Sequence, residues 1–275
     1  MSKVWLITGS ARGLGRSIAE AVLEHGDQLV ATARDTQQLA DLVGHYGENV
    51  KAVALDVKDG EQARGAVKAA VETFGRLDVV VNNAGYGNVA AIEETTDDDF
   101  RDQIETNLWG VINVTRAALP MLRRQRSGQF IQISSVGGRV GGSAGLGAYQ
   151  TAKWGVEGFS EVLAKEVAHL GIRVLIVEPG FMTTDWAGSS MHITEPGADY
   201  QEPIGQRIQM MSQWDENSGS DPQKVAQAIL KVLDEADPPL RLLMGSNALQ
   251  LAIAKDESTL AEAHKWQAVS SSTDH

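Results

Sequence analysis

The feature that most constrains the fold is a regular alternation of short apolar runs with amphipathic segments. The apolar runs begin near Val4, Gln28, Val50, Leu77, Gly128, Arg173 and Leu240. The segments between them, such as LGRSIAEAVLEHG, carry apolar residues at helical spacing and tend to close on glycine. Parallel strands need long return connections, so this order predicts a seven-stranded parallel sheet with helices on both faces. The expected fold class is α/β, in a doubly wound arrangement.

Neither an interdomain linker nor an internal repeat is visible, so we expect one domain over residues 1–275. The long stretch at about 186–219 lacks a clear strand and contains Gly, Ser, Met, Trp and acidic residues. A loop of that size in a compact domain is usually functional, which predicts a substrate lid; the alternative is a disordered insertion. In the tail at about 265–275, we expect Trp266 to dock on the body or on a partner subunit and the rest to be solvated.

Composition excludes several classes of function. A formal net charge of −12 and a pI near 4.9 argue against nucleic acid as a partner. Cysteine is absent, which excludes disulfides and thiolate metal sites, and we expect no metal. Apolar runs such as Val174–Val177 are far shorter than the ~20 residues of a membrane span, and the N-terminus shows no basic leader. We therefore expect a cytoplasmic protein without a membrane partner.

The segment TGSARGLG, from Thr8 to Gly15, follows the first strand and opens the first helix. That is the context of a phosphate-binding turn. Gly9 permits the tight turn, Gly13 lets the backbone approach a pyrophosphate, and Gly15 lets the helix pack closely. The helix N-terminus then faces the anion, which indicates a Rossmann-type dinucleotide site.

Polar or glycine-bearing motifs stand at the ends of three further strands: NNAG at Asn82–Gly85, ISS at Ile133–Ser135 and PGFMTTD at Pro179–Asp185. Open α/β sheets bind ligands at the carboxyl ends of their strands, so these motifs are expected to border one crevice. Tyr149 and Lys153 stand four residues apart at the start of a predicted helix, so they share one face.

Taken in order, TGxxxGxG, NNAG, Asn107, the strand-end serine, YxxxK and PG resemble the short-chain dehydrogenase/reductase family from about Val4 to Met244. Within the family, the sequence is similar to the ketoreductases and hydroxysteroid-dehydrogenase-like enzymes. The resemblance implies an NAD(P)(H)-dependent oxidoreductase that interconverts a ketone and a secondary alcohol. Its implied catalytic residues are Asn107, Ser135, Tyr149 and Lys153.

Carbonyl reduction develops negative charge on oxygen, so a proton donor is needed, and Tyr149 is expected to be that acid. A phenol has a pKa near ~10, which a neighbouring ammonium such as Lys153 lowers. By resemblance, Lys153 also binds the nicotinamide ribose, Ser135 hydrogen-bonds the substrate oxygen, and Asn107 holds a water of a proton relay.

Either Ser134 or Ser135 could be the catalytic serine. Ser135 is preferred because it begins SVGG, which resembles the usual context in the family. The segment from Ser135 to Tyr149 is one residue longer than expected for the family. Its many glycines could absorb the extra residue as a bulge.

The second strand ends ATARD, where NAD-selective members of the family resemble one another in having an acidic residue. Arg34 at this point and Arg12 in the glycine turn suit a 2′-phosphate, so NADP(H) is the expected cofactor, although Asp35 is adjacent. By resemblance, Asp56 contacts the adenine amino group and Thr184 the carboxamide. The remaining expected cofactor contacts are Thr8, Gly9, Gly13, Leu14, Gly15, Val57, Asn83, Ala84, Gly85, Tyr149, Lys153, Pro179 and Gly180.

The expected pocket wall is largely apolar and suits a small hydrophobic carbonyl or alcohol substrate. It comprises Tyr86, the glycine-rich segment before Tyr149, Phe181, Trp186 and Met191, although these aromatics could equally form the core of the lid. The helices beginning near Asp97 and Gly147 resemble those through which family members form homodimers or homotetramers.

Two rival functions share the fold. A non-catalytic NADP-binding sensor or scaffold would keep the glycine turn, but it would not need Tyr149 opposite the nicotinamide. An epimerase or dehydratase would recycle its cofactor, and the chain lacks the larger substrate domain of such relatives.

Overall fold

The structure, a computed structural model, describes residues 2–182, 191–214 and 218–274. The strands in these ranges are β1 (Val4–Ile7), β2 (Gln28–Ala33), β3 (Val50–Ala54), β4 (Val79–Asn82), β5 (Gly87–Val89), β6 (Gly128–Ile133), β7 (Ile172–Pro179), β8 (Met191–Ile193) and β9 (Arg241–Met244). Seven of them form one parallel sheet in the order β3-β2-β1-β4-β6-β7-β9. The predicted seven-stranded doubly wound sheet is confirmed.

Strand β1 lies inside this sheet, between β2 and β4, and all of its residues are buried. Leu6 is in register with Val30 of β2 on one side and with Val80 of β4 on the other. The direction of winding reverses between β1 and β4, and this reversal opens a crevice at the carboxyl ends of the two strands. The sheet topology thus fixes where a ligand can enter.

Helices cover both faces of the sheet. They are α1 (Gly13–Glu24), α2 (Ala40–Tyr46), α3 (Gly60–Phe74), α4 (Asp97–Ile104), α5 (Gly110–Gln125), α6 (Gly137–Val140), α7 (Gly147–Val167), α8 (Gln206–Ser212), α9 (Pro222–Leu233) and α10 (Ser246–Ser271). One buried apolar cluster joins Ile18 of α1 and Ile229 of α9 to the sheet, and the other joins Val67 of α3 and Leu122 of α5. Each face of the sheet therefore has its own core.

The amphipathic segments begin and end where their sequences predict. The Asp59 side chain caps α3 by accepting hydrogen bonds from the amides of Glu61 and Gln62. The helix ends at Gly75, which adopts a left-handed conformation with φ of +80°.

The predicted lid contains more regular structure than expected. Met191–Ile193 forms β8, which pairs in parallel with β5 in a separate small sheet, and α8 follows it. The expectation of a stretch without strands was therefore wrong. A three-residue strand that pairs with another three-residue strand has too few residues to show a period-two pattern.

The C-terminal prediction also needs correction. Helix α10 continues to Ser271, so most of the expected tail is helical. Trp266 is 53% exposed and does not dock on the body of this chain. Only Ala248 and Ala252 of this helix are buried, and Asp256 forms an ion pair with Arg139 of α6. Among the described residues, no helix combines the length and apolar character needed to cross a bilayer.

Candidate active site

The turn after β1 adopts a conformation that requires glycine. Gly9 and Gly13 have φ of +68° and +56°, a region that residues with a side chain rarely occupy. A Cβ atom at Gly15 would overlap the carbonyl oxygen of Gly9. The close packing predicted from the glycine spacing is therefore present.

Two side chains brace this turn against the end of β4. The Thr8 hydroxyl accepts hydrogen bonds from the amides of Asn83 (2.9 Å) and Ala84 (3.0 Å). The Asn83 amide group donates to the carbonyls of Thr8 (2.9 Å) and Gly9 (3.1 Å). These hydrogen bonds hold two strand ends in a fixed relation at the point where the sheet winding reverses.

The N-terminus of α1 is suited to an anion. Its first turn contains no acidic residue, and Arg12 at the N-cap makes no side-chain capping hydrogen bond. Unsatisfied amides and the helix dipole at such an end favour a phosphate. A cavity of about 670 Å³ runs from this end of α1 to Tyr149. The turn and the cavity together fit a nicotinamide dinucleotide.

The structure brings most of the predicted site residues to this cavity. Those that line it are Gly9, Arg12, Gly13, Leu14, Arg34, Asp56, Val57, Asn83, Ala84, Gly85, Asn107, Ser135, Tyr149, Lys153, Pro179 and Gly180. Thr8 and Gly15 lie behind its wall, where they support the turn. The predicted positions Thr184 and Trp186 lie outside the described residues.

Tyr149 is only 6% exposed, in the first turn of α7. Burial raises the pKa of Tyr149 to about 12, and a side-chain hydrogen bond with Ser135 offsets part of that rise. The Ser135 hydroxyl is itself oriented, because it accepts a hydrogen bond of 3.1 Å from the amide of Gly137. At neutral pH, Tyr149 is therefore a protonated phenol beside an oriented hydroxyl.

Lys153 lies one turn further along α7 and is also buried. Its Nζ atom donates a 2.7 Å hydrogen bond to the carbonyl of Ile133 and lies 5.8 Å from the centroid of the Tyr149 ring. Burial lowers the pKa of Lys153 to about 8. The expected lowering of the Tyr149 pKa by Lys153 is not seen, because burial disfavours the charged form of both groups.

Asn107 lies in a π-helical turn, Glu105–Trp109, that joins α4 to α5. Its Oδ1 atom accepts from the backbone amide of Tyr86 (3.0 Å), and its Nδ2 atom donates to the backbone carbonyl of Tyr86 (2.9 Å) and to the side-chain Oε1 of Gln103 (3.1 Å). The Asn107 side chain thus holds the loop after β4 in place.

The glycine-rich segment between Ser135 and Tyr149 accommodates its length in a turn. Gly141, Gly142 and Gly145 have φ of +60°, +72° and +82°. The Ser135–Tyr149 hydrogen bond is kept, so the additional residue does not separate the two side chains. The neighbouring Ser134 hydroxyl is buried without a hydrogen-bond partner, which favours Ser135 as the serine that acts with Tyr149.

Three cations besides Lys153 line the cavity. Arg12 and Arg34 were expected there, and both are exposed. Lys58 was not expected, although it follows Asp56 and Val57 closely in the sequence. Its Nζ atom lies 3.5 Å from a carboxylate oxygen of Asp102.

The substrate side of the cavity differs from the predicted wall. Tyr86 lines it, together with His192 of β8, whose ring centroid is 6.1 Å from that of Tyr86. Phe181 packs on Trp214 at 3.7 Å between ring centroids, and Met191 is buried in the lid. Among the described residues, Phe181 and Met191 therefore build the lid and do not line the cavity. His192 could not be predicted from the sequence, because its strand was not predicted.

Comparison with known proteins gives the context of this site. The family model of the short chain dehydrogenases matches residues 3–193. The chain is 51% identical over 271 residues to oxidoreductase BOA17 of Botryotinia fuckeliana, covering 98% of both proteins. It is 33% identical over 262 residues to a 3-ketodihydrosphingosine reductase of Bacteroides thetaiotaomicron, covering 94% of each.

Solved structures show the same fold. A short-chain dehydrogenase from Streptomyces avermitilis is 41% identical, with a TM-score of 0.93 over 100% of this chain and 99% of its own. A 23% identical protein from Burkholderia phymatum was solved with NAD, with a TM-score of 0.83 over 95% of both chains. A 27% identical alcohol dehydrogenase from Thermococcus sibiricus was solved with 5-hydroxy-NADP, with a TM-score of 0.73 over 90% of this chain and 97% of its own. The chain belongs to the short-chain dehydrogenases, and it is an oxidoreductase that acts on CH–OH or C=O groups with a nicotinamide cofactor.

Proposed function

We propose that the protein is an NADP(H)-dependent carbonyl reductase that interconverts a ketone and a secondary alcohol. The observation that carries this proposal is the buried group of Tyr149, Ser135 and Lys153 at the end of the cavity. A sensor that only binds the cofactor has no need for an oriented, protonated phenol at that position. The arrangement of these three residues therefore favours a catalytic function over a sensor or scaffold function.

In this proposal, Ser135 and Tyr149 hydrogen-bond the substrate carbonyl oxygen. The bound cofactor supplies or accepts the hydride. As negative charge develops on the oxygen, Tyr149 transfers its phenolic proton to it, which gives the alcohol. The raised pKa keeps Tyr149 protonated at neutral pH, and this suits the direction of reduction. Lys153 would hold the nicotinamide ribose, and water held near Asn107 would return the proton.

The choice of NADP(H) rests on the cations that line the cavity. Arg12, Arg34 and Lys58 are cations, and guanidinium groups match the geometry of a 2′-phosphate. Asp35 would oppose a phosphate, but its side chain accepts a 3.0 Å hydrogen bond from the amide of Gln37 and caps the following turn. The alcohol dehydrogenase from Thermococcus sibiricus, solved with 5-hydroxy-NADP, offers a precedent in the same fold.

The proposal extends to assembly and location. The enzyme would act as one catalytic domain and associate as a homodimer or homotetramer. Trp109, just before α5, and Trp154, on α7, are 43% and 52% exposed, and exposed aromatic residues on neighbouring helices suit a symmetric contact. A cytoplasmic location agrees with a chain that has no cysteine.

The test follows NADPH absorbance against a panel of aromatic ketones, steroids, diketones and acyl thioesters, with NADH in parallel. We expect turnover of at least one class, with kcat/KM clearly higher for NADPH. Turnover that prefers NADH would overturn the cofactor assignment. NADPH binding without turnover of any carbonyl would favour the sensor function.

A further inference from the structure

Helix α8 of the lid carries a cation that the catalytic scheme does not use. Arg207 is half-buried, and its Nε atom is buried without a hydrogen-bond partner. Among the described residues, no carboxylate pairs with it. Burial lowers the pKa of Arg207 below its usual range, because the charge is partly desolvated. An unpaired, desolvated charge is costly to a fold, so its retention needs a reason.

The helix geometry shows which way Arg207 faces. Ile204 precedes it by three residues and Met211 follows it by four, so all three lie on one face of the lid helix. Ile204 and Met211 are buried in the apolar cluster that includes Tyr149, Leu146 and Val89. Arg207 therefore lies on the face of α8 that packs on the apolar cluster containing Tyr149.

Three carboxylates near the lid have other hydrogen-bond partners. The Tyr200 hydroxyl donates to Glu93, and the amide of Gly197 donates to Glu94 at 3.0 Å. Glu195 accepts from the side chain of Gln201 at 3.4 Å. Within the described part of the chain, none of these carboxylates forms an ion pair with Arg207.

We propose that Arg207 binds a carboxylate of the substrate, so that the preferred substrates are keto acids and the corresponding hydroxy acids. This inference rests on the proposed function, which places the reacting carbonyl at Tyr149. Guanidinium and carboxylate groups can form two parallel hydrogen bonds. The net charge of −12 disfavours a doubly charged phosphate more than a singly charged carboxylate. The apolar side chains on the same helix face as Arg207, those of Ile204 and Met211, suit the hydrocarbon part of such a substrate.

The test uses phenylglyoxylate and 4-oxo-4-phenylbutanoate with their ethyl esters, which keep the ketone and remove the charge. Initial rates with NADPH are measured for the wild type, for R207Q and for R207K. The control R123Q removes a positive charge from the exposed end of α5. We expect R207Q to raise KM for at least one acid by about 10-fold or more, as for loss of a charge-assisted hydrogen bond. The ester KM and kcat should stay within about 2-fold, R207K should recover part of the loss, and R123Q should match the wild type.

Equal changes for acid and ester, or no change for either, would overturn the inference. A fall in melting temperature of R207Q would also contradict it, because removal of an unpaired, partly buried charge should not destabilise the fold. If the wild type reduces no ketone, the proposed function fails, and calorimetric binding of 4-oxo-4-phenylbutanoate then decides the role of Arg207. About 10-fold weaker binding to R207Q would support the inference, and equal binding would overturn it.

Discussion

The glycine turn, Thr8–Gly15, and the lid, residues 191–214, belong to the same site but are held in place by different forces. Backbone conformations that require glycine and hydrogen bonds from Thr8 and Asn83 fix the turn. The lid packs through an apolar cluster, to which the β5–β8 pairing and the hydrogen bonds to Glu93 and Glu94 are added. Directional bonds fix one geometry, whereas apolar contacts tolerate several.

This difference explains how proteins with one fold can bind the same cofactor and act on different substrates. A side chain in the lid can be replaced without disturbing the sheet, whereas a Cβ atom in the turn overlaps backbone. Lids must also open to admit a substrate, and the small sheet of this lid is separate from the seven-stranded sheet. We therefore expect mutations in the turn to affect cofactor binding and stability, and mutations in the lid to affect substrate choice.

The largest effect is expected where the two regions meet, at Tyr149. Tyr149→Phe removes the phenolic proton and keeps the ring that packs against the lid. Turnover should fall by about 10²-fold or more, as for loss of a general acid. NADPH affinity, measured by fluorescence titration, should stay within a few-fold. Near-normal turnover would show that Tyr149 is not the proton donor.

A pair of glycine variants tests whether the turn is as rigid as its contacts indicate. Gly15→Ala places a methyl group against the Gly9 carbonyl and should lower the unfolding free energy by about 1–3 kcal/mol and weaken cofactor binding. Gly44→Ala, in α2 with open space around it, is the matched control and should stabilise by about 0.5–1 kcal/mol. Urea denaturation measures both. Equal changes in the unfolding free energy of the two variants would mean that the turn shifts to accommodate the added methyl group.

Replacement of both Arg12 and Arg34 by Gln separates recognition of the 2′-phosphate from the rest of the turn. We expect KM for NADPH to rise about 10- to 100-fold, since charge-assisted hydrogen bonds are lost. KM for NADH should change by no more than about 3-fold, because NADH lacks the phosphate. Initial rates with a fixed ketone measure both constants. A parallel rise for the two cofactors would remove the argument for NADP(H).

The smallest effect concerns the pH dependence of stability. Lys153 has an ordinary pKa of 10.5 that burial lowers to about 8, so between these values the folded chain binds fewer protons than the unfolded chain. Stability therefore rises with pH across this window, and the gain is lost as the pH falls toward 8. The raised pKa of Tyr149 acts in the opposite sense above pH 10, so measurements should stay below that value.

Urea denaturation of the wild type and of Lys153→Met at pH 7.5 and 9.5 isolates this contribution. From pH 7.5 to pH 9.5, the unfolding free energy of the wild type should rise by roughly 1–2 kcal/mol relative to that of the variant. A constant difference would show that Lys153 keeps its charge when buried.

The two regions also differ in how far the sequence could predict them. The glycine turn and the strand ends were predictable because the positions of Gly9, Gly13 and Tyr149 follow from local spacing within regular elements. The strand β8 was missed because it is defined by pairing with β5, a contact between residues about a hundred positions apart. The position of His192 beside the cavity and the partial burial of Arg207 both depend on how the lid packs, which local sequence does not reveal. For the same reason, the exposure of Trp266 on α10 could not be read from its neighbours.

The most direct test of the central claim is the stoichiometry of a single reaction. Purified enzyme is incubated with NADPH and the ketone that gives the highest rate, and the alcohol is quantified by chiral chromatography against NADPH consumed. The proposed mechanism predicts one molecule of alcohol formed per NADPH consumed. In Tyr149→Phe, both alcohol formation and NADPH consumption should be lost. NADPH consumption without alcohol, or alcohol formation that persists in Tyr149→Phe, would contradict it.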